Sequence, residues 1–164
     1  MARRFRALLP LAFLAALAVS SPAAPPKLAD RIPGRWRLLS IESRDDSSKD
    51  WERRYGDSPI GYIQYGTDGF MSVQIAKMPR PSFASGKDRS PTPEEGRDAY
   101  LGYVAYFGTW TVDESARTVI HHVEGSLGPS YVGSDQRRPA TLEGDRLTLS
   151  DGKTFRVVWE RARR

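Results

Sequence analysis

"IGYIQYGTDGFMSVQIAK", residues 60–77, decides the fold. Runs rich in Tyr, Ile, Phe and Val flank Thr67-Asp68-Gly69. An Asp-Gly turn between such runs is a strong short-range signal for an antiparallel hairpin. Successive side chains of a strand point to opposite faces. Gln64 and Gln74, one in each arm, are therefore either buried and paired or turned toward a cavity. Their presence in both arms predicts a partly polar interior.

The same alternation extends outward. In "GRWRLLSIESR", residues 34–44, Trp36, Leu38 and Ser40 alternate with Arg37, Leu39 and Ile41, as in a strand partly covered on both faces. Past the hairpin, residues 78–107 break the strand rhythm with prolines. There Thr92, Pro93 and Glu95 form the pattern of a capping box with proline at the first helical position. Ala99, Tyr100, Tyr103, Val104 and Phe107 recur at helical spacing, while Gly96 and Gly102 weaken the pattern, so a short helix lying against the sheet is expected. From "YFGTWTVDE" onward the chain meanders through "RTVIHHVEGS", "SDQRRPATLEG", "DRLTLS" and "KTFRVVWERA", joined by short turns. The sum is about eight sequential strands, and a meander removes its edges most simply by closing on itself. The expected fold is all-β: a closed or nearly closed antiparallel up-and-down β-barrel with a short helix inserted midway.

The first residues have a different character. Arg3, Arg4 and Arg6 precede an apolar run over residues 7–19, followed by small residues. This is the three-part layout of a secretory signal, and the run is too short for a stable bilayer anchor. Residues 1–23 are read as signal peptide, with cleavage after Ala23 or alternatively Ala24. Residues 24–33 are read as linker and 34–164 as the barrel. The mature chain is expected to be exported, periplasmic or secreted, without a transmembrane anchor. Of the 25 Lys and Arg that face 20 Asp and Glu, three leave with the signal, so the remainder is near neutral. No basic stripe points to a nucleic-acid partner. The absence of cysteine excludes cysteine-type zinc, two histidines exclude a three-histidine zinc site, and the fold must rest on an apolar core.

"GRW" at the head of the first strand resembles the Gly-x-Trp signature of lipocalins and wider calycin barrels. "SPIGYIQYGTDGFMSVQI", "RPSFASG", "YFGTWTVDE", "HHVEGSLGPSYVGSDQRR", "RLTLS" and "VVWER" resemble the lipocalin-like domain family of small bacterial and fungal proteins. The resemblance runs from about Gly34 to Arg161. It implies a small antiparallel barrel with an internal cavity or its remnant, and no particular activity. In lipocalins a late arginine packs over the signature tryptophan; here Arg161 or Arg156 would cover Trp36.

Both histidines lie in "IHHVEGS", residues 120–126. Strand periodicity sends His121 and His122 to opposite faces, so they cannot chelate one ion. The face carrying Ile120, His122, Glu124 and Ser126 is read as lumenal, with Val119, His121 and Val123 on an outer face under the helix. His122 and Glu124 would then lie about 7 Å apart at their α-carbons. The expected ligand-binding set is Trp36, Tyr62, Gln64, Gln74, Tyr103, Tyr106, His122, Glu124 and Tyr131, because aromatic walls with a few convergent polar groups suit a small-molecule cavity. The leading reading is a barrel that binds a small apolar or aromatic molecule in its lumen, without metal or cofactor. An isomerase or cyclase using His122 and Glu124 is the alternative. A filled barrel serving as an interaction module of the cell envelope is the third. No Gly-x-Ser-x-Gly elbow or phosphate-cradling glycine loop is present.

Overall fold

In the computed structural model, which describes residues 26–163 apart from Asp46, eight strands pair in sequence order and close into a barrel. They are β1 (Gly34–Ser43), β2 (Ile60–Tyr65), β3 (Phe70–Ala76), β4 (Tyr103–Asp113), β5 (Thr118–Ser126), β6 (Asp135–Glu143), β7 (Arg146–Ser150) and β8 (Phe155–Arg161). Every pairing is antiparallel, and β8 returns to β1 with Trp159 opposite Leu38. Closure satisfies the outer hydrogen-bonding edges of the first and last strands, as the meander predicts. The proposed signal peptide lies outside the described residues.

The hairpin of β2 and β3 sorts its side chains cleanly. Ile63, Tyr65, Met71, Val73 and Ile75 are buried, while Tyr62, Gln64 and Gln74 are exposed on the outside of the barrel. This corrects the expectation that the glutamines and Tyr62 line the interior. Residues directly opposite in an antiparallel pair share a face; Tyr62 faces Gln74 and Ile63 faces Val73. Burying each aliphatic side chain contributes about 1.5–3 kcal/mol. The opposite register would bury two amides that need partners, so the aliphatic set goes inward.

The two ends of the barrel differ. At the closed end, α1 (Leu28–Arg31) precedes β1 and brings Leu28 and Ile32 into the core. Residues 28–32, read as linker, thus belong to the barrel's packing. The Glu114 carboxylate accepts hydrogen bonds from the Leu28 and Ala29 amides at 3.0 and 2.8 Å and ties this segment to the turn after β4. At the open end lie the long connections after β1, β3 and β5. The second of these carries α2 (Pro93–Leu101), whose capping box is complete: Glu95 N donates to Thr92 Oγ1 at 3.2 Å and Thr92 N to Glu95 Oε2 at 2.8 Å. The helix is where the pattern places it, but none of its residues is buried, so it stands at the rim and is not packed on the sheet.

Candidate functional site

β5 shows its faces plainly: Val119, His121 and Val123 are buried, whereas His122 and Glu124 point outward. The lumenal placement expected of His122 and Glu124 is therefore inverted. An interior face is recognised by its apolar members, and the two valines stand on the side of His121. His122 is tied on the outer surface, Nδ1 to Asp135 Oδ1 at 2.6 Å and Nε2 to Thr111 Oγ1 at 2.9 Å. Glu124 is the extra residue of a bulge, where Gly125 faces Phe107 but Val123 faces Gly108. Gly108 is required there, since a Cβ would lie 2.0 Å from the His122 carbonyl oxygen.

His121 is the polar centre of the interior. Its Nε2 lies 2.8 Å from the Tyr65 hydroxyl and its Nδ1 2.9 Å from the Tyr106 hydroxyl, all three side chains buried. Burial, with the charges of Arg138 and His122, pushes the imidazole down to about 3, so it is neutral at physiological pH. Burial raises both tyrosines above their usual range, and Arg138 works against that rise. Arg138 comes from β6, half-buried, with its guanidinium 4.8 Å from the Phe155 ring centroid and donating to Gln136 Oε1 at 3.1 Å. Among the described residues no carboxylate pairs with it.

A pocket of about 180 Å³ opens at the mouth, with Tyr55, Tyr100, Tyr103, Val104, Ser126 and Tyr131 among its walls. Ser126 stands opposite Tyr106 in the β4–β5 ladder. The Tyr131 ring meets the Tyr106 ring edge-on, centroids 5.8 Å apart at 66°. Tyr131 thus touches both the pocket and Tyr106, the hydrogen-bond partner of His121. Leu101, Leu127 and Val132 add exposed apolar surface at this end. A larger hollow of about 660 Å³ lies outside the barrel between the proline-rich loop and α2. Its Arg80 and Glu95 are engaged in holding that loop, through Gly102 O at 3.2 Å and Ala84 N at 2.7 Å.

Of the expected set, Tyr103 and Tyr131 line the mouth pocket and Tyr106 lies beneath it. Tyr62, Gln64, Gln74, His122 and Glu124 stand on the outer surface, and Trp36 is buried at the closed end. Tyr65, His121 and Arg138 were missed. Their signal is alternation with aliphatic residues: Tyr65 with Ile63, His121 with the valines, Arg138 with Ala140 and Leu142.

Trp36 Nε1 donates to Ile32 O at 2.9 Å, and the Arg161 guanidinium lies 4.1 Å from its ring centroid. Arg161 also donates to Pro33 O and Arg31 O at 3.0 and 2.6 Å. Gly34 has φ +130, and a Cβ there would stand 2.9 Å from Arg161 Nη1, so the glycine, tryptophan and arginine form one closed-end unit. Arg156 pairs instead with Glu42. Residues 33–164 match the lipocalin-like domain. The chain belongs to that family. This lipocalin-like protein is 37% identical over 86 residues to the 4'-hydroxy-3'-methoxypropiophenone carrier protein of Aspergillus oryzae, covering 49% of the present chain and 78% of the relative.

Proposed function

We propose that this protein is an exported carrier that takes a small aromatic molecule into the mouth of its barrel. The observation that carries the reading is the tyrosine-walled pocket of about 180 Å³, whose Tyr131 packs edge-on against Tyr106, itself hydrogen-bonded to the buried His121. An apolar cavity of about 150 Å³ is enough for benzene, so the pocket suits one substituted ring. The tyrosines offer apolar faces to such a ring and hydroxyl tips to its substituents. The relative named for carrying an aryl ketone supports the ligand class. The isomerase reading loses its chemical pair, since His122 and Glu124 lie outside. Export rests on the first residues of the sequence, and a mature chain recovered outside the cytosol and starting after Ala23 or Ala24 is its expected sign.

The test is a titration with 4'-hydroxy-3'-methoxypropiophenone followed by tryptophan emission. Trp110 is a suitable reporter because its ring packs edge-on against Tyr65, centroids 5.1 Å apart. Saturable quenching is expected. Tyr103→Ala and Tyr131→Ala should weaken binding about three- to tenfold each. Tyr62→Ala, on the outer face, should leave it unchanged. No saturable binding of this ketone or of related phenols and aryl ketones, or a Tyr62→Ala effect as large as that of Tyr131→Ala, would count against the reading.

A further inference from the structure

The outer wall of the barrel over β2, β3 and β4 stands apart in a chain that is 27% charged. Residues directly opposite in the ladders share a face, so Tyr62, Gln74 and Ala105 form one outward row and Gln64, Ser72 and Phe107 the next. Phe70 and Thr109 form a third. None of these residues is charged. Ile60, Tyr62, Phe70 and Phe107 are nevertheless 57%, 45%, 58% and 55% exposed. Phe107 lies across Gly125 of β5, where a Cβ would stand 2.5 Å from its ring, so the ring rests on the sheet rather than standing out from it. At about 100 Å² apiece, the four side chains leave about 400 Å² of apolar surface in water. That is close to the apolar half of the about 800 Å² that each partner buries in a standard interface.

The rim of this wall carries opposite charges on opposite sides. The Gln64 row continues to Arg35 on β1 and, past Phe107, to the bulge of Glu124 and Gly125 on β5. Both Arg35 and Glu124 are exposed, and among the described residues neither takes part in an ion pair. Their neighbours Arg37 and His122 are by contrast tied to Glu160 and Asp135. Arg35 leans over the face, its guanidinium 5.6 Å from the Tyr62 ring centroid. β1 and β5 lie two strands from β3 on either side. A positive and a negative edge around an uncharged aromatic middle make the wall complementary to itself. A two-fold axis running along β3 sets Arg35 of each copy against Glu124 of the other, and Gln64 against Phe107. Phe70 and Ser72 then meet their own counterparts, and the two sheets pack with strands aligned.

We propose that this wall is a dimer interface, occupied by a second copy of the chain related by a two-fold axis along β3. Tyr62, Phe70 and Phe107 form its core, and two Arg35–Glu124 pairs close its rim. The tyrosine-walled pocket opens at the end of the barrel and the interface lies on its side, so pairing and ligand binding are separable.

Sedimentation equilibrium of the protein as isolated, over a range of concentrations, is expected to show a reversible dimer that salt weakens. Arg35→Glu and Glu124→Arg should each weaken it about tenfold or more, and the two together should restore it to within about threefold of the unaltered chain. Phe70→Lys, which sets a charge against its own copy on the axis, should weaken it about tenfold or more. The absence of cysteine allows a second readout. Ser72→Cys should be joined to its own copy by a short bis-maleimide, while Thr141→Cys, exposed on β6, should not. Circular dichroism checks that the variants fold, and if the charge variants do not, the two cysteine variants decide. A chain that stays monomeric at every concentration overturns the proposal. So does a dimer that the charge swap fails to restore, or one that links through Thr141→Cys as readily as through Ser72→Cys. A monomer that floats with phosphatidylcholine–phosphatidylglycerol vesicles overturns it too, since lipid would then be what covers the wall.

Discussion

His121 carries a pH dependence that its burial sets. An unfolded histidine takes up a proton near pH 6.5, but folded His121 resists until about 3 because protonation would place a charge among buried tyrosines and close to Arg138. Between those values the unfolded chain binds more protons. The stability contributed by neutral His121 is therefore fully present above pH ~6.5 and is lost as the pH falls toward 3, at up to about 1.4 kcal/mol per unit. Acidification to about pH 5 should remove about 2 kcal/mol from this source, measurable as a drop in the urea midpoint. His121→Gln should flatten that slope; an unchanged slope would place its origin elsewhere. The sequence alone shows that the two histidines must part, because a strand repeats every two residues. Which one turns inward depends on the residues that share its face, and Val119 and Val123 decide for His121.

At the scale of elements, α2 shows how a locally coded feature can form without bearing on the whole. Thr92, Pro93 and Glu95 lie within one turn, so their capping contacts need nothing from the rest of the chain and are legible as a pattern. Where the helix docks is not coded in that turn. Its residues remain unburied and it stands over the rim. Thr92→Ala should cost α2 about 1 kcal/mol and speed amide exchange over residues 93–101, with the melting temperature of the barrel unmoved. A large fall in that temperature would mean that the helix is coupled to the core. The bulge at Glu124 is the opposite case. It depends on how β5 meets β4 at Gly108, and nothing in "HHVEGS" marks it as the extra residue.

The whole molecule is held shut where its ends meet. β1 pairs with β8, α1 lies over the closed end, and Arg161 joins all three by covering Trp36 and donating to the carbonyls of Arg31 and Pro33. Arg161→Ala should cost about 2–3 kcal/mol in chemical denaturation. Arg156→Ala, which removes an exposed pairing with Glu42, should cost about 0–1 kcal/mol. Equal losses would show that the closed-end unit has no special weight. From the chain alone the two arginines were equivalent candidates. They are separated by the register of β8 on β1, where Trp36 faces Arg161 while Arg156 faces Glu42.

By itself the sequence determined what depends on near neighbours: alternating strands, an Asp-Gly hairpin, a capped helix, a meander that closes, and the Gly-x-Trp signature. Tertiary structure decided which face of each strand is the inside. Period-two alternation is symmetric between faces, and that symmetry is broken only when all eight strands bury their aliphatic sides together. The candidate site followed that choice: the glutamines, His122 and Glu124 went to the surface, and Tyr65, Tyr106, His121 and Arg138, far apart in the chain, were brought to one place beneath the mouth.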